Sequence, residues 1–208
     1  MAQILKDELR QAIIIAAKQE LLEFGYENAS MRNIAKKANM TVGNLYHYFA
    51  NKDEIIQYIV SPTLKQINDL LNFVSSNRLS METRVFNLKA NIHDLKKLMN
   101  TFAINLVRIY IKRPDEFNIL MLHSDLNKEL VSWFSNAIKS LIEQHFIVPG
   151  HNLEKQLLAN AYAQSIFSGL SEIFKLNNLD QEQLENVVKA YLNSYINILD
   201  SDIRKSFM

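Results

Sequence analysis

The stretch from Asn28 to Lys52, NASMRNIAKKANMTVGNLYHYFANK, leaves the chain few ways to fold. Two short helical patterns meet in it across the tight turn Ala38-Asn39-Met40-Thr41. Ser30 is placed to cap the first, and behind it Ile34, Ala35 and Ala38 share one helical face while Arg32, Lys36 and Lys37 lie elsewhere. Asparagine tolerates a left-handed backbone better than other non-glycine residues, so Asn39 can end that helix and reverse the chain. Thr41 then caps a second helix, Val42 to Tyr48, with Leu45 and Phe49 turned inward. The spacing predicts a helix-turn-helix.

The second helix is not composed like a core helix. Apart from Leu45 and Phe49 it carries Thr41, Gly43, Asn44, Tyr46, His47 and Tyr48, which offer hydrogen-bonding groups, aromatic faces and one position for close approach. A helix in a DNA major groove needs short polar groups near its N-terminus for base edges, with hydroxyls and cations around them for phosphates. Charge points the same way. Residues 28–52 contain Arg32, Lys36, Lys37 and Lys52 and no acid, a balance of +4, whereas the whole chain carries +1. An αα-corner with a solvated basic rim would share the turn, but it gives no reason for the caps, the aromatic cluster and the charge to coincide.

The segments IIIAA (13–17), FGY (24–26), SMRNIAKKA (30–38), TVGNLYHYF (41–49) and NKDEI (51–55) resemble the DNA-binding domain of the TetR family of bacterial transcriptional regulators. The LYHYF run followed by NK is the most specific part. Two positions depart from the family pattern: Asn39 stands where glycine is usual, and Glu20 where an apolar residue is more common. The resemblance implies an all-α protein with a three-helix DNA-binding domain over residues 1–50, joined to a larger effector-binding and dimerisation domain over 51–208.

Composition supports the helical part independently. Four glycines and three prolines in 208 residues leave few breakers, so helices should run nearly throughout. Cysteine is absent, which excludes disulfides and thiolate chemistry and fits a reducing compartment. The charged start MAQILKDELR does not read as a signal peptide, and no apolar run is long enough to span a membrane. The expectation is a soluble, cytoplasmic protein whose positive charge is concentrated at one small site, as a specific rather than indiscriminate contact with nucleic acid requires.

Along the chain, the first helix is expected from Ile4 to Phe24, with Leu9, Ile13, Ala16, Ala17 and Leu21 buried and Gly25 ending it. Tyr26 should pack back on this small head, which must lean on the next helix for stability. That helix starts at the cap Asn51, with Asp53 and Glu54 suiting its positive end and Lys52 placed to bind a phosphate beside free backbone N–H groups. Its apolar period continues through Ser61-Pro62, the natural joint between head and body and a candidate hinge. Ser80, followed by Thr83, is placed to cap a helix ending at Lys112-Arg113; short and long helices follow from Asp115 and from Ser124 or Asp125. Pro149-Gly150 precedes the last two, Asn152 to Leu176 and Gln181 to Leu199. Their wide apolar stripes, with the small residues Ala159, Ala161, Ala163, Ser165, Ser168 and Gly169 allowing close approach, make a hairpin whose outer face needs cover. The resemblance implies that it meets its copy as a four-helix bundle, the alternative being an internal hairpin of a monomer.

Catalytic motifs are missing: there is no glycine-rich phosphate loop, no G-x-S-x-G and no H-E-x-x-H. The histidines (47, 93, 123, 145, 151) do not pair at metal-ligand spacing, and His123-Ser124-Asp125 reads as a helix junction rather than a triad. No enzyme, metal or cofactor is expected. Between Leu98 and Phe134 the chain is rich in Phe, Tyr, Met and Trp, residues that line small-molecule pockets as well as plain cores. Phe102, Asn105, Tyr110, Met121, His123, Trp133, Gln164 and Phe167 are the candidate effector contacts, the polar ones because each needs a partner when buried.

The reading is a homodimeric, ligand-responsive repressor on a near-palindromic operator. Val42, Gly43 and Asn44 would approach bases, His47 a base or a phosphate, and Ser30, Arg32, Thr41, Tyr46, Tyr48 and Lys52 would hold the backbone. The alternative is a helical small-molecule-binding or adaptor protein that does not read DNA.

Overall fold

The computed structural model describes residues 2–82, 88–122, 124–145, 152–175 and 178–205, and every regular element among them is an α-helix. In order these are α1 (Ala2–Asn28), α2 (Met31–Lys37), α3 (Val42–Tyr46), α4 (Lys52–Glu82), α5 (Leu88–Lys112), α6 (Pro114–Leu122), α7 (Ser124–His145), α8 (Asn152–Lys175) and α9 (Gln181–Lys205).

The helix signals explain most boundaries. Gly25 takes φ 73° and ψ 174°, a break inside α1 at the expected position, and helical hydrogen bonding resumes beyond it to Asn28. Pro114 opens α6 at the first helical position, where its missing N–H costs nothing. Asp180 and Gln183 cap α9 reciprocally, with Gln183 N–H donating to Asp180 Oδ1 at 2.8 Å and Asp180 N–H to Gln183 Oε1 at 3.1 Å.

Three expectations change. Ser80 does not cap a new helix: α4 continues through it to Glu82, because no breaker lies between Pro62 and that point; Thr83 falls outside the described residues. Helix α3 ends at Tyr46 rather than Tyr48, closing with Tyr48 N–H on the Leu45 carbonyl at 2.9 Å, a tighter last turn. Helix α9 runs past Leu199 to Lys205. Pro62 sits inside a single continuous α4, and the Ser61 hydroxyl reaches, at 3.4 Å, the Tyr58 carbonyl that the proline cannot serve.

The chain divides into two compact units. The first comprises Met1–Lys65 and Arg113–Ser124, the second Gln66–Lys112 and Asp125–Met208, so the border within α4 follows shortly after Pro62. In the first unit α1 packs on α2, and Ile13, Ala16, Ala17, Leu21, Ile34, Ala35, Leu45, Phe49, Ile55, Ile56 and Ile59 are all buried. Leu9 is only half-buried. The small head gains further core from α6, which packs on α1, buries Phe117 and Leu120, and places Glu116 2.8 Å from Lys18. Each such buried side chain contributes about 1.5–3 kcal/mol, a large share for so few residues.

In the second unit α9 packs along α5 and against α8. Phe102 stacks on Trp133 (6.2 Å, 14°) and meets Phe134 edge-on, while Tyr110 lies 4.8 Å from Phe174. The small residues of α8 turn out to serve two faces. Ala159 and Ala163 are buried, whereas Ala161, Ser165 and Ser168 are exposed. At Gly169 a Cβ would lie 2.0 Å from the Tyr191 hydroxyl, so this glycine admits α9 of the same chain. The Tyr191 hydroxyl donates to the Ser165 carbonyl at 2.7 Å and lies 2.9 Å from the Tyr195 hydroxyl, which in turn is 2.7 Å from Ser165 Oγ. Burial, the neighbouring Tyr195 hydroxyl and its charge push the Tyr191 phenol far above its usual range.

Candidate nucleic-acid interface

The turn between α2 and α3 is built as its residues dictate. Ser30 Oγ accepts from Asn33 N–H and Thr41 Oγ1 from Asn44 N–H, each at 3.2 Å, so both helices start from side-chain caps worth about 1 kcal/mol apiece. Asn39 is at φ 54°, and the turn closes with Asn39 N–H on the Lys36 carbonyl (3.1 Å) and Met40 N–H on the Ala35 carbonyl (2.9 Å), a Schellman arrangement. Asparagine therefore fills the glycine position without changing the turn.

Burying Leu45 and Phe49 fixes which way α3 faces. Thr41, Gly43, Tyr46 and His47 are then exposed, and Val42, Asn44 and Tyr48 half-exposed. Tyr46 keeps 52% of its surface in solvent. Around Gly43, apart from its chain neighbours and the helix's own backbone, no heavy atom lies within 4 Å of where a Cβ would stand, so packing inside the protein does not require a glycine there. Ser30 is half-buried at its cap and Arg32 is exposed beyond it.

The four cations of this stretch are not equivalent. Arg32 and Lys36 are exposed and pair with no carboxylate among the described residues. Lys37 is occupied: its ammonium lies 3.0 Å from Glu20 Oε2 and 2.8 Å from Glu23 Oε2, and 5.0 Å from the centre of the Phe24 ring. Hydrogen bonding to Glu23, then to Glu20, raises its pKa. Glu20 itself is fully buried. Burial alone would raise its carboxyl, but Lys37 and an Asn33 Nδ2 donor at 2.8 Å outweigh that and hold it below the ordinary value. The departure at Glu20 is thus a polar tie between α1 and α2. An acid within the apolar stripe Ile13, Ala16, Ala17, Leu21 was the sequence signal for it, but Lys37 and Asn33 could not be identified as its partners without the fold.

Lys52 is engaged within the head: its half-buried ammonium donates to the backbone carbonyl of Tyr26 and, at 2.9 Å, to that of Ala29. It lies 4.1 Å from the centre of the Tyr26 ring. Two backbone N–H groups near it are occupied: Glu54 N–H donates to the cap Asn51 (2.8 Å), and Ala50 N–H to the Glu54 carboxylate (2.6 Å).

The candidate effector contacts fall in different environments. Phe102, Asn105, Tyr110, Trp133, Gln164 and Phe167 belong to the second unit, Met121 to the first, and His123 lies outside the described residues. Phe102 and Phe167 are buried, Tyr110 and Trp133 half-exposed, and Gln164 stands on the exposed side of α8. Asn105 satisfies its amide on the Thr101 carbonyl one turn back, at 2.8 Å. Among the described residues no group of histidines and carboxylates could hold a metal ion, and no helix is long and apolar enough to cross a membrane.

Comparison with known proteins adds family and fold. The profile described as bacterial regulatory proteins, tetR family, matches residues 13–59. The chain is 31% identical over 86 residues to the HTH-type transcriptional regulator PksA of Bacillus subtilis, covering 41% of this chain and 42% of that one, well under half of either. It is 25% identical over 197 residues to the HTH-type nicotine-responsive transcriptional repressor HdnoR of Paenarthrobacter nicotinovorans, covering 88% and 94%. Among solved structures it is similar to NalD, the secondary repressor of the MexAB-OprM multidrug efflux pump in Pseudomonas aeruginosa, with a TM-score of 0.54, 20% identity and coverage of 90% and 95%.

Proposed function

The chain belongs to the TetR family of bacterial transcriptional regulators, and we propose that it acts as a homodimeric repressor that reads operator DNA with α3 and releases it on binding a small molecule. The observation that carries this reading is the outward face of α3. Gly43 has open space at its side-chain position, and Tyr46 keeps half of its surface in solvent. Val42, Gly43 and Asn44 would meet base edges. Thr41, Tyr46, His47 and Tyr48 would hold sugar and phosphate, with Ser30 and Arg32 at the start of α2.

Exposed Leu153, Leu157, Leu158, Val187 and Ile198 on α8 and α9 support pairing through these helices, since a face of this kind needs cover. The stacked Phe102 and Trp133 support an effector site in the second unit. To weaken operator binding ~100-fold, an effector must prefer the non-binding shape by about 2.7 kcal/mol.

The test is duplex binding by Tyr46→Ala, using DNA from upstream of the chain's own coding sequence. Binding should weaken about tenfold, or ~1.4 kcal/mol, while melting temperature and dimer mass hold. A chain whose α3 substitutions leave duplex binding untouched would instead be a helical binding or adaptor protein. Salt gives a second measure. With Arg32 and Lys36 as the free cations of each head, a dimer neutralises roughly four phosphates and log K should fall with log salt at a slope of about −3.6; all four cations of both heads would give about −7.

A further inference from the structure

Past the kink at Gly25, α1 closes with a last turn to Asn28, and Ala29 alone separates it from Ser30, the cap of α2. Two side chains from the first turn of α4 hold this junction. Lys52 donates to the carbonyls of Tyr26 and Ala29 and lies against the Tyr26 ring, while Asp53 Oδ1 accepts the Tyr26 hydroxyl proton at 2.7 Å. The carbonyls concerned lie at the end of α1 and immediately before Ser30. Without Lys52 they would lose charge-assisted hydrogen bonds, which are stronger than neutral ones.

We propose that Lys52 is a positioning residue for DNA recognition: together with Asp53 it latches the α1–α2 connection to the start of α4, and it acts on DNA through Tyr26 and Ala29 rather than by pairing with a phosphate. The proposal deepens the DNA-binding reading and rests on it for its effect on affinity. Helix α4 is the continuous element that leads from this latch past Pro62. A shift of its first turn therefore drags the cap of α2 or breaks the latch, and either outcome displaces Ser30 and Arg32 from their places beside a duplex. The geometry also explains the lysine chemically. A compact ammonium with several donors fits between two carbonyls and over a ring, whereas a planar guanidinium directs its donors in a fixed fork.

The experiment compares wild type, Lys52→Met and Lys52→Arg by fluorescence anisotropy on the upstream duplex across a salt series, with hydrogen exchange on the free proteins. Lys52→Met is expected to bind about tenfold more weakly with an unchanged salt slope, and Lys52→Arg to recover less than half of that loss. Exchange of the Ala29 and Asn33 amides should rise about fivefold in Lys52→Met without DNA present. A salt slope shallower by about 1.8 per dimer, or full recovery by Lys52→Arg, would make Lys52 a phosphate ligand and overturn the latch. Unchanged exchange at Ala29 and Asn33 would overturn it as well. A wild-type chain that binds no duplex sinks the operator reading, while the exchange result still decides whether the latch exists.

Discussion

Gly43 and Gly169 are the same residue in two helices, α3 and α8, and their surroundings are opposite. At Gly169 the missing side chain is replaced by the Tyr191 hydroxyl, 2.0 Å from the vacant Cβ position; at Gly43 nothing beyond its chain neighbours and the helix's own backbone lies within 4 Å. A glycine filled by its own chain is explained by packing. A glycine in an exposed helix with no internal neighbour weakens that helix by about 0.5–1 kcal/mol relative to alanine and brings no contact in return. On the proposed reading its reason is a groove wall approaching α3, which is consistent with the caps, phenols and cations around it.

The comparison can first be broken at its packed end. Gly169→Ala should destabilise the protein by about 1–3 kcal/mol in urea unfolding, because the Tyr191 ring must swing away and give up the Ser165 carbonyl. Pairing it with Tyr191→Leu should restore part of that loss. A silent Gly169→Ala would show that the α8–α9 contact is loose and that the two glycines are alike.

A smaller effect separates the buried acid from the open face. Glu20→Leu should change stability by no more than about 1 kcal/mol in either direction, since it removes a buried carboxylate while Lys37 keeps Glu23 and no buried charge is left unpaired. Lys37 is partly exposed, which reduces the pair's value further. A loss well beyond this in a melting experiment would mean that the polar tie organises the head rather than substituting for an apolar contact.

The smallest effect is on pH dependence. Glu20, Glu116 and Glu185 all have carboxyls held below the ordinary glutamate range: in Glu20 and Glu116 partners outweigh burial, and in Glu185 the hydrogen bond from Gln181 leads. Groups depressed in the folded state contribute stability that is fully present above their unfolded pKa and lost as pH falls through the folded values. Stability should therefore be flat from neutral pH down to about 5 and decline below it. Glu116→Gln should make the acid limb shallower without moving the neutral plateau by more than about 1 kcal/mol. A plateau that already falls between pH 7 and 5 would point to groups other than these carboxylates.

Much of this was legible in the sequence, for reasons that can be named. The caps Ser30, Thr41 and Asn51, the reversal at Asn39 and the breaks at Gly25 and Pro114 are local, so neighbours in the chain suffice to read them. What was missed depends on residues far apart. The charge of Lys52 is visible in the sequence, whereas the carbonyls of Tyr26 and Ala29 become its partners only once the chain has folded back. Glu20 read as a departure because Lys37 and Asn33 meet it across two helices. The Ser80 boundary failed for the opposite reason: a good capping residue does not end a helix that has no breaker before it. Among the candidate effector contacts, composition identified the aromatic region, but it could not tell the buried Phe102 and Phe167 from the exposed Gln164, nor place Met121 in the other unit.

The most direct test is the affinity of Gly43→Ala for the upstream duplex, measured beside its melting temperature. With open space at that position and alanine the better helix former, the free protein should melt at the wild-type temperature or slightly above it. Duplex binding should nevertheless fall about tenfold or more. Wild-type affinity in a normally folded Gly43→Ala protein would contradict the claim that this face of α3 is kept open for DNA.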